Sequence, residues 1–156
     1  RAIVKAGIPV QGHIGLTPQT ASALGGFKMQ GRDASAAKQI IDDAKALEDA
    51  GVFSMILEAV PAPLGKLVAE AVKVPVIGIG AGPDVDGQVL VTHDMVGLFD
   101  KFVPKFVKQY TRIRPVILEA LGAYKKEVQD GVFPGPEHSF KMPAEALVQL
   151  KQMIEN

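Results

Sequence analysis

One glutamate and one histidine interrupt apolar segments of the chain, and both residue types can move protons. Glu58 lies in VFSMILEAV, residues 52–60, and His13 lies in IPVQGHIGL, residues 8–16. A carboxylate in apolar surroundings is partly stripped of water, which raises its pKa toward the range of a general base. The alternative interpretations of Glu58 are an ion pair with a lysine or a cap on the helix that follows Pro61.

His13 admits three interpretations: a general acid, a hydrogen-bond donor to a substrate, or a packed histidine satisfied by backbone groups. His93 and His138 lie in THDMVG and PEHSF, where turn and capping contacts account for a histidine equally well. The three histidines lack any close metal-ligand spacing, and the chain contains no cysteine. We therefore predict no metal site built from histidine or cysteine.

A third apolar segment, VPVIGIGAG, residues 74–82, ends in three alternating glycines. Gly78, Gly80 and Gly82 could bring bare backbone close to a small acid or a phosphate, or allow a helix to pack closely on the strand. The dinucleotide fingerprint fails because Pro83 stands where its third glycine belongs, and the phosphate-loop Gly-Lys-Ser/Thr is absent. Both interpretations, a substrate contact and close packing, therefore stay open.

Two basic residues, Lys28 and Arg32, lie in the long glycine-rich segment after His13. A loop of this length in a compact domain is usually functional or mobile. These cations are better placed to approach an anionic ligand than the lysines on the solvent faces of the predicted helices.

The elements that must position these residues alternate between apolar strands and amphipathic helices, which is typical of a parallel sheet covered on both faces. The polar interruptions fall at the carboxyl ends of the strands, where parallel α/β proteins bind ligands. The predicted elements are strands at 8–16, 52–60 and 74–82, a short apolar segment at 87–97, a helix capped by Ser35 and ended by Gly51, a short helix after Pro61, helices at 104–110 and 115–129, and a last helix from Pro143.

The composition narrows the class of protein. The chain has 156 residues, a formal net charge of zero and 47% hydrophobic residues, as expected of a globular domain. Without excess positive charge, nucleic acid and anionic membrane surfaces are poor partners. The apolar runs are too short and too interrupted to cross a bilayer, and we recognise no secretion signal. We expect neither a nucleic-acid nor a membrane partner.

Six blocks together resemble one family, the ketopantoate (3-methyl-2-oxobutanoate) hydroxymethyltransferases. They are GHIGLTPQ, GGFKMQGR, LEAVP, PVIGIGAG, DGQVLVTHDMVG and VFPGPEHSF, in the order of the family and from about residue 8 to about residue 140. The resemblance covers the C-terminal half of a typical member. It implies an α/β fold, the (β/α)8 TIM barrel, of which this chain holds about the last four strands and helices, with DGQVLV as the short eighth strand.

The resemblance also implies how the chain is organised. Residues 1–156 are expected to be the C-terminal half of a single barrel domain, with a helical extension from about residue 143. Four strands cannot close a barrel, and an open half leaves a strand edge unpaired. We therefore expect an N-terminal half, whether cleaved off or held in another chain, and a homo-oligomer, typically a decamer in this family.

The reaction that the resemblance implies is hydroxymethyl transfer from 5,10-methylenetetrahydrofolate to 3-methyl-2-oxobutanoate, giving 2-dehydropantoate for pantothenate biosynthesis. The location expected of the protein is cytoplasmic, or organellar in a eukaryote. Mg²⁺ stabilises the enolate in the family, and the Mg²⁺-binding acids, with the serine and lysine that hold the substrate, belong to the missing half.

Three parts of the site carry over onto this sequence. The proton-accepting glutamate of the family falls in LEAVP, which makes Glu58 the catalytic base. The histidine of GHIGLTP lies near the substrate, so His13 is expected to be a hydrogen-bonding substrate contact. The backbone of Gly78, Gly80 and Gly82 is expected to shape the floor or rim of the pocket, and LGGFKMQGR a wall on the folate side.

Two other functions compete with this one. A different barrel enzyme could hold a phosphorylated substrate at Gly78–Gly82. A half-barrel without its N-terminal half would be a non-catalytic assembly module.

Overall fold

The computed structural model describes residues 1–20 and 28–155 of the chain. It has two compact units, Arg1–Arg112 and Ile113–Asn156. The first unit contains a sheet with its helices, and the second contains helices and turns. The candidate residues His13, Glu58 and the glycine run all belong to the first unit.

Four parallel strands form the sheet, in the order β1-β2-β3-β4. Each strand pairs with the next one along the chain, so the order does not reverse as it does in doubly wound sheets. This confirms the α/β class and fits a partial TIM barrel. The strands are β1 (Gln11–Gly15), β2 (Ser54–Glu58), β3 (Val76–Ile79) and β4 (Gly87–Gln88).

In the first unit, a side-chain cap marks the start of the longest helix and a glycine marks its end. Asp33 caps the longest one, because its Oδ1 accepts a hydrogen bond from the Ala36 N–H at 2.9 Å, and Gly51 ends it with a left-handed φ of 94°. The prediction that Ser35 is the cap was wrong. The helices are α1 (Ala2–Lys5), α2 (Ala34–Ala50), α3 (Ala62–Ala71) and α4 (Thr92–Met95), with a 3-10 turn at Pro18–Thr20.

The hydrophobic core lies between one face of the sheet and the helices α2 and α3. Strand residues Ile14, Met55, Leu57 and Val76 pack there against helix residues that include Ile40, Ala44, Leu64 and Val68. Side chains alternate between the two faces of a strand. The opposite face therefore carries Gln11, His13, Ile56 and Glu58, which are partly or fully exposed in the described part of the chain, although we expected cover on both faces.

Helix α3 approaches the segment after β3 closely through a glycine. A β-carbon placed on Gly65 would lie 2.0 Å from the carbonyl oxygen of Ala81, and Ala81 is fully buried. Only a residue without a side chain permits this contact. Gly65 therefore sets the distance between α3 and the carboxyl end of the sheet.

Two predicted elements in the first unit differ from the structure. The apolar segment 87–97 provides only the two-residue strand β4 and the single turn α4. The helix predicted at 104–110 is absent, since residues 103–110 are irregular. The Phe106 ring packs against the backbone of Gly80 instead. A helical pattern of seven residues gains too little from its own hydrogen bonds to outweigh such a contact.

The second unit confirms the two C-terminal helices to within a residue. They are α5 (Arg114–Gln129) and α6 (Ala144–Ile154), with a 3-10 turn at Pro136–His138 between them. The Phe133 ring contacts Tyr124 edge-on and also lies against His138. No helix in residues 1–20 or 28–155 is both long enough and apolar enough to span a membrane.

Candidate active site

His13 and Glu58 meet at the carboxyl ends of neighbouring parallel strands. His13 is paired with Ile56 in the register of β1 and β2, which places Glu58 two residues further on the same face. The His13 Nε2 and Glu58 Oε2 atoms are 3.1 Å apart. The side chains are 29% and 14% exposed, respectively. The partner of Glu58 is thus a histidine, in place of the lysine or helix cap considered as alternatives.

Burial raises the pKa of the Glu58 carboxyl above its ordinary value, and the opposing attraction and hydrogen bond of His13 only partly offset this. A carboxylate that is short of water is a stronger base than one in solution. The pair can therefore accept a proton on Glu58 while His13 holds the carboxylate in place. A carboxylate with a raised pKa is suited to general base catalysis.

The raised pKa predicts how stability changes with pH. A carboxyl group whose pKa is higher in the folded state stabilises the fold fully below its unfolded pKa, and loses this contribution as the pH rises through the folded pKa. Glu58→Gln should therefore gain stability relative to the unmodified chain as the pH rises from about 4 to about 8. Urea denaturation across this range measures the difference. A constant difference would contradict the prediction, and Glu119→Gln on α5 controls for loss of one charge.

The backbone around Glu58 is fixed by hydrogen bonds to both neighbouring strands. The Glu58 carbonyl accepts from the Leu16 N–H at 2.9 Å, and the Ala59 N–H donates to the Ile79 carbonyl at 2.9 Å. Ala59 has a φ of 51°, the one non-glycine residue with positive φ in the described part of the chain. Sequence reasoning missed Ala59, because an alanine carries no sign that its backbone is left-handed.

The three glycines of the run, Gly78 within β3 and Gly80 and Gly82 after it, make close packing contacts. A β-carbon on Gly78 would meet Val85, and one on Gly82 would meet Ala62, at 2.8 Å and 2.4 Å. The carbonyls of Gly78, Gly80 and Gly82 already accept hydrogen bonds from other parts of the chain. The close-packing interpretation accounts for these contacts, and the contact of the three glycines with a substrate stays a prediction.

The segment after the 3-10 turn is only partly described. The predicted wall LGGFKMQGR lies outside the described residues from Leu24 to Phe27. Lys28 and Arg32 are described and exposed. Between them, the Gln30 N–H donates to the Ala59 carbonyl at 2.9 Å. The two cations therefore flank a residue that is anchored next to Glu58, and their contact with an anion stays a prediction.

The donors at this site do not form a magnesium site. In residues 1–20 and 28–155, no three side chains of His, Cys, Asp or Glu lie together as metal ligands would. Mg²⁺ prefers about six oxygen ligands in octahedral geometry. The His13–Glu58 pair supplies one carboxylate and one imidazole, which are too few oxygen ligands for this ion.

The other two histidines belong to different surroundings. His93 lines an open depression of about 330 Å³ together with Val91, Asp94, Leu98 and Phe99. His138 accepts a hydrogen bond from the Gly135 N–H at its Nδ1, at 3.2 Å. The turn interpretation of His138 is thereby confirmed.

Comparison with known proteins identifies the family of the chain. A family model described as ketopantoate hydroxymethyltransferase matches residues 1–136. The chain belongs to the ketopantoate hydroxymethyltransferase family. Both His13 and Glu58 lie inside the matched region.

Individual relatives agree with the family model. The 3-methyl-2-oxobutanoate hydroxymethyltransferase of Heliobacterium modesticaldum is 60% identical over 145 residues, which cover 93% of this chain and 52% of the relative. That of Syntrophobacter fumaroxidans is 59% identical over 142 residues, covering 91% and 50%. That of Clostridium beijerinckii is 55% identical over 150 residues, covering 96% and 54%. The chain spans about half the length of these hydroxymethyltransferases.

Proposed function

We propose that this chain supplies the general base of a ketopantoate hydroxymethyltransferase, and that the base is Glu58. The observation that carries the proposal is the half-buried pair at the carboxyl end of the sheet, in which Glu58 Oε2 lies 3.1 Å from His13 Nε2. The substrate would be 3-methyl-2-oxobutanoate and the one-carbon donor 5,10-methylenetetrahydrofolate. Water supplies the hydroxyl oxygen, and the products are 2-dehydropantoate and tetrahydrofolate.

In the proposed reaction, the Glu58 carboxylate removes the proton from C3 of the 2-oxo acid. The electron pair of that C–H bond moves toward the neighbouring carbonyl, and C3 then forms a bond with the methylene carbon of the donor. Both bonds from that carbon to the folate nitrogens N5 and N10 break, and water provides its new hydroxyl group. The two nitrogens take up the proton removed from C3 and the remaining proton of water. Burial of Glu58 favours the protonated carboxyl that results from the first step. His13 holds one carboxylate oxygen, which leaves the other free for the proton, and its imidazole is the proposed hydrogen-bonding contact with the substrate.

The remaining components of the reaction lie outside the described residues. We place the Mg²⁺ of the proposed reaction on ligands from the N-terminal half of the barrel, since the site in this chain offers too few oxygens. The ion would stabilise the enolate that results when Glu58 removes the proton. We also propose that the two halves act together in a cytoplasmic homo-oligomer.

The test is exchange of the C3 proton of 3-methyl-2-oxobutanoate with D₂O, followed by NMR with and without Mg²⁺. The chain is assayed alone and after co-expression with the part of the Heliobacterium modesticaldum relative that it does not match. We expect exchange in the complex with Mg²⁺, and ketopantoate once the folate donor is added.

Two outcomes would overturn the proposal. A stable complex without exchange would leave the chain as an assembly module. Turnover of a sugar phosphate without exchange on the 2-oxo acid would favour the phosphate-binding alternative at Gly78–Gly82.

A further inference from the structure

Gly15, which has no side chain, lies directly beside Glu58 in the sheet. Gly15 is the register partner of Glu58 in the neighbouring strand β1. It has a φ of 81°, and a β-carbon placed on it would lie 2.3 Å from the Glu58 carbonyl oxygen. That oxygen accepts the hydrogen bond from Leu16, the residue after Gly15. The two strands thus meet, backbone against backbone, at the residue that carries the base.

A second left-handed residue follows Glu58 directly. Ala59 has a φ of 51°, a conformation that costs an alanine free energy and that persists only when its surroundings impose it. Its N–H donates to Ile79 and its carbonyl accepts from Gln30. Ala59 and Leu16 also form a small buried cluster of their own. Left-handed residues therefore fix Glu58 from two sides.

We propose that Gly15 and Ala59 form a backbone clamp that positions the Glu58 carboxylate against His13. This inference rests on the proposed role of Glu58 as the base. Both residues of the clamp are positioning residues, because their observed contacts are with the backbone next to Glu58. The clamp acts on the main chain of residue 58, and through it on the Oε2–Nε2 contact.

The size of the expected displacement follows from the geometry. Real β-carbons do not approach other heavy atoms within 3.0 Å, so a methyl group on Gly15 must push the Glu58 carbonyl away from β1. His13 lies on β1 as well. Glu58 would therefore move away from His13, and a displacement near 1 Å can lower a rate by about 10²-fold.

The experiment compares Gly15→Ala with Gly7→Ala. Gly7 has a φ of 82°, almost the same as Gly15, but a β-carbon placed there would meet nothing within 4 Å. Both variants therefore force an alanine into the left-handed region, and only Gly15→Ala adds the collision with Glu58. The readouts are the pKa of the Glu58 carboxyl, from ¹³C NMR of the chain, and the C3 exchange rate of the complex.

For Gly15→Ala we expect a higher pKa of Glu58, because the lowering influence of His13 is lost, and an exchange rate at least about 10-fold lower with an unchanged KM. Gly7→Ala should show neither change. Equal results for the two variants would overturn the clamp. If the unmodified complex shows no exchange, the proposed function fails, whereas the NMR comparison still tests the clamp.

Ala59→Gly tests the clamp without adding an atom, so it also serves if Gly15→Ala does not fold. Glycine relieves the strain of positive φ but gives the backbone more conformations. A purely structural role predicts a stable variant with the original rate. The clamp predicts a stable variant whose kcat for exchange falls several-fold while KM stays the same, and an unchanged kcat would contradict it.

Discussion

Glu58→Gln should lower the rate of C3 proton exchange on 3-methyl-2-oxobutanoate by about 10²-fold or more. The amide keeps the shape of the carboxyl group and can still hydrogen-bond His13, but it cannot accept the proton. Exchange is the sensitive measurement, because it reports proton removal separately from the transfer of the one-carbon unit. It is followed by the loss of the C3 signal in D₂O.

The control for this variant is Glu119→Gln, at an exposed position of α5. It removes the same charge and should exchange at the original rate. Fold and complex formation should be retained in both variants. An undiminished rate in Glu58→Gln would remove Glu58 from the role of base, and the proposed function of the chain would then lack its central residue.

Gly65→Ala should destabilise the first unit by about 3 kcal/mol. The added methyl group would lie 2.0 Å from the Ala81 carbonyl oxygen, and a buried backbone atom cannot move aside as a flexible side chain can. Either α3 or the segment after β3 must shift. Native-state hydrogen exchange, which reads the two units separately, measures the loss.

At a second helical glycine, replacement by alanine should raise the stability instead of lowering it. Gly122 lies within α5, and a β-carbon placed there would meet nothing within 4 Å. Gly122→Ala should therefore stabilise its helix by about 0.5–1 kcal/mol, since alanine is the better helix former. If Gly65→Ala and Gly122→Ala lost similar amounts of stability, the contact with Ala81 would not be the cause of the destabilisation in Gly65→Ala.

The pairing of His13 with Glu58 could be predicted from the sequence, in the sense that both residues end apolar strands. Parallel strands bring their carboxyl ends to one edge, so two polar interruptions at those ends lie near each other when their strands are neighbours, as β1 and β2 are. The structure confirms this with a contact of 3.1 Å. The chemical roles of the two residues stay predictions, because proximity alone does not show which group takes the proton.

Other features depend on contacts that a local pattern does not contain. Ser35 and Asp33 are both good helix caps, and only the path of the chain decides that Asp33 is used. The apolar spacing at 104–110 resembles a helix, yet Phe106 packs on Gly80, distant in sequence. The left-handed backbone of Ala59 arises from hydrogen bonds to Ile79 and Gln30, and its side chain gives no hint of it.

The consecutive strand order has a consequence for how the molecule is made. Each of the first three strands pairs with the one that follows it in the chain, so each of these pairings closes over only the segment between neighbouring strands. That segment contains α2 between β1 and β2, α3 between β2 and β3, and no helix between β3 and β4. During synthesis, each strand that leaves the ribosome can therefore pair with the strand made just before it. A cut in a loop between two of these strands would remove a peptide bond and leave the hydrogen bonds between the strands in place.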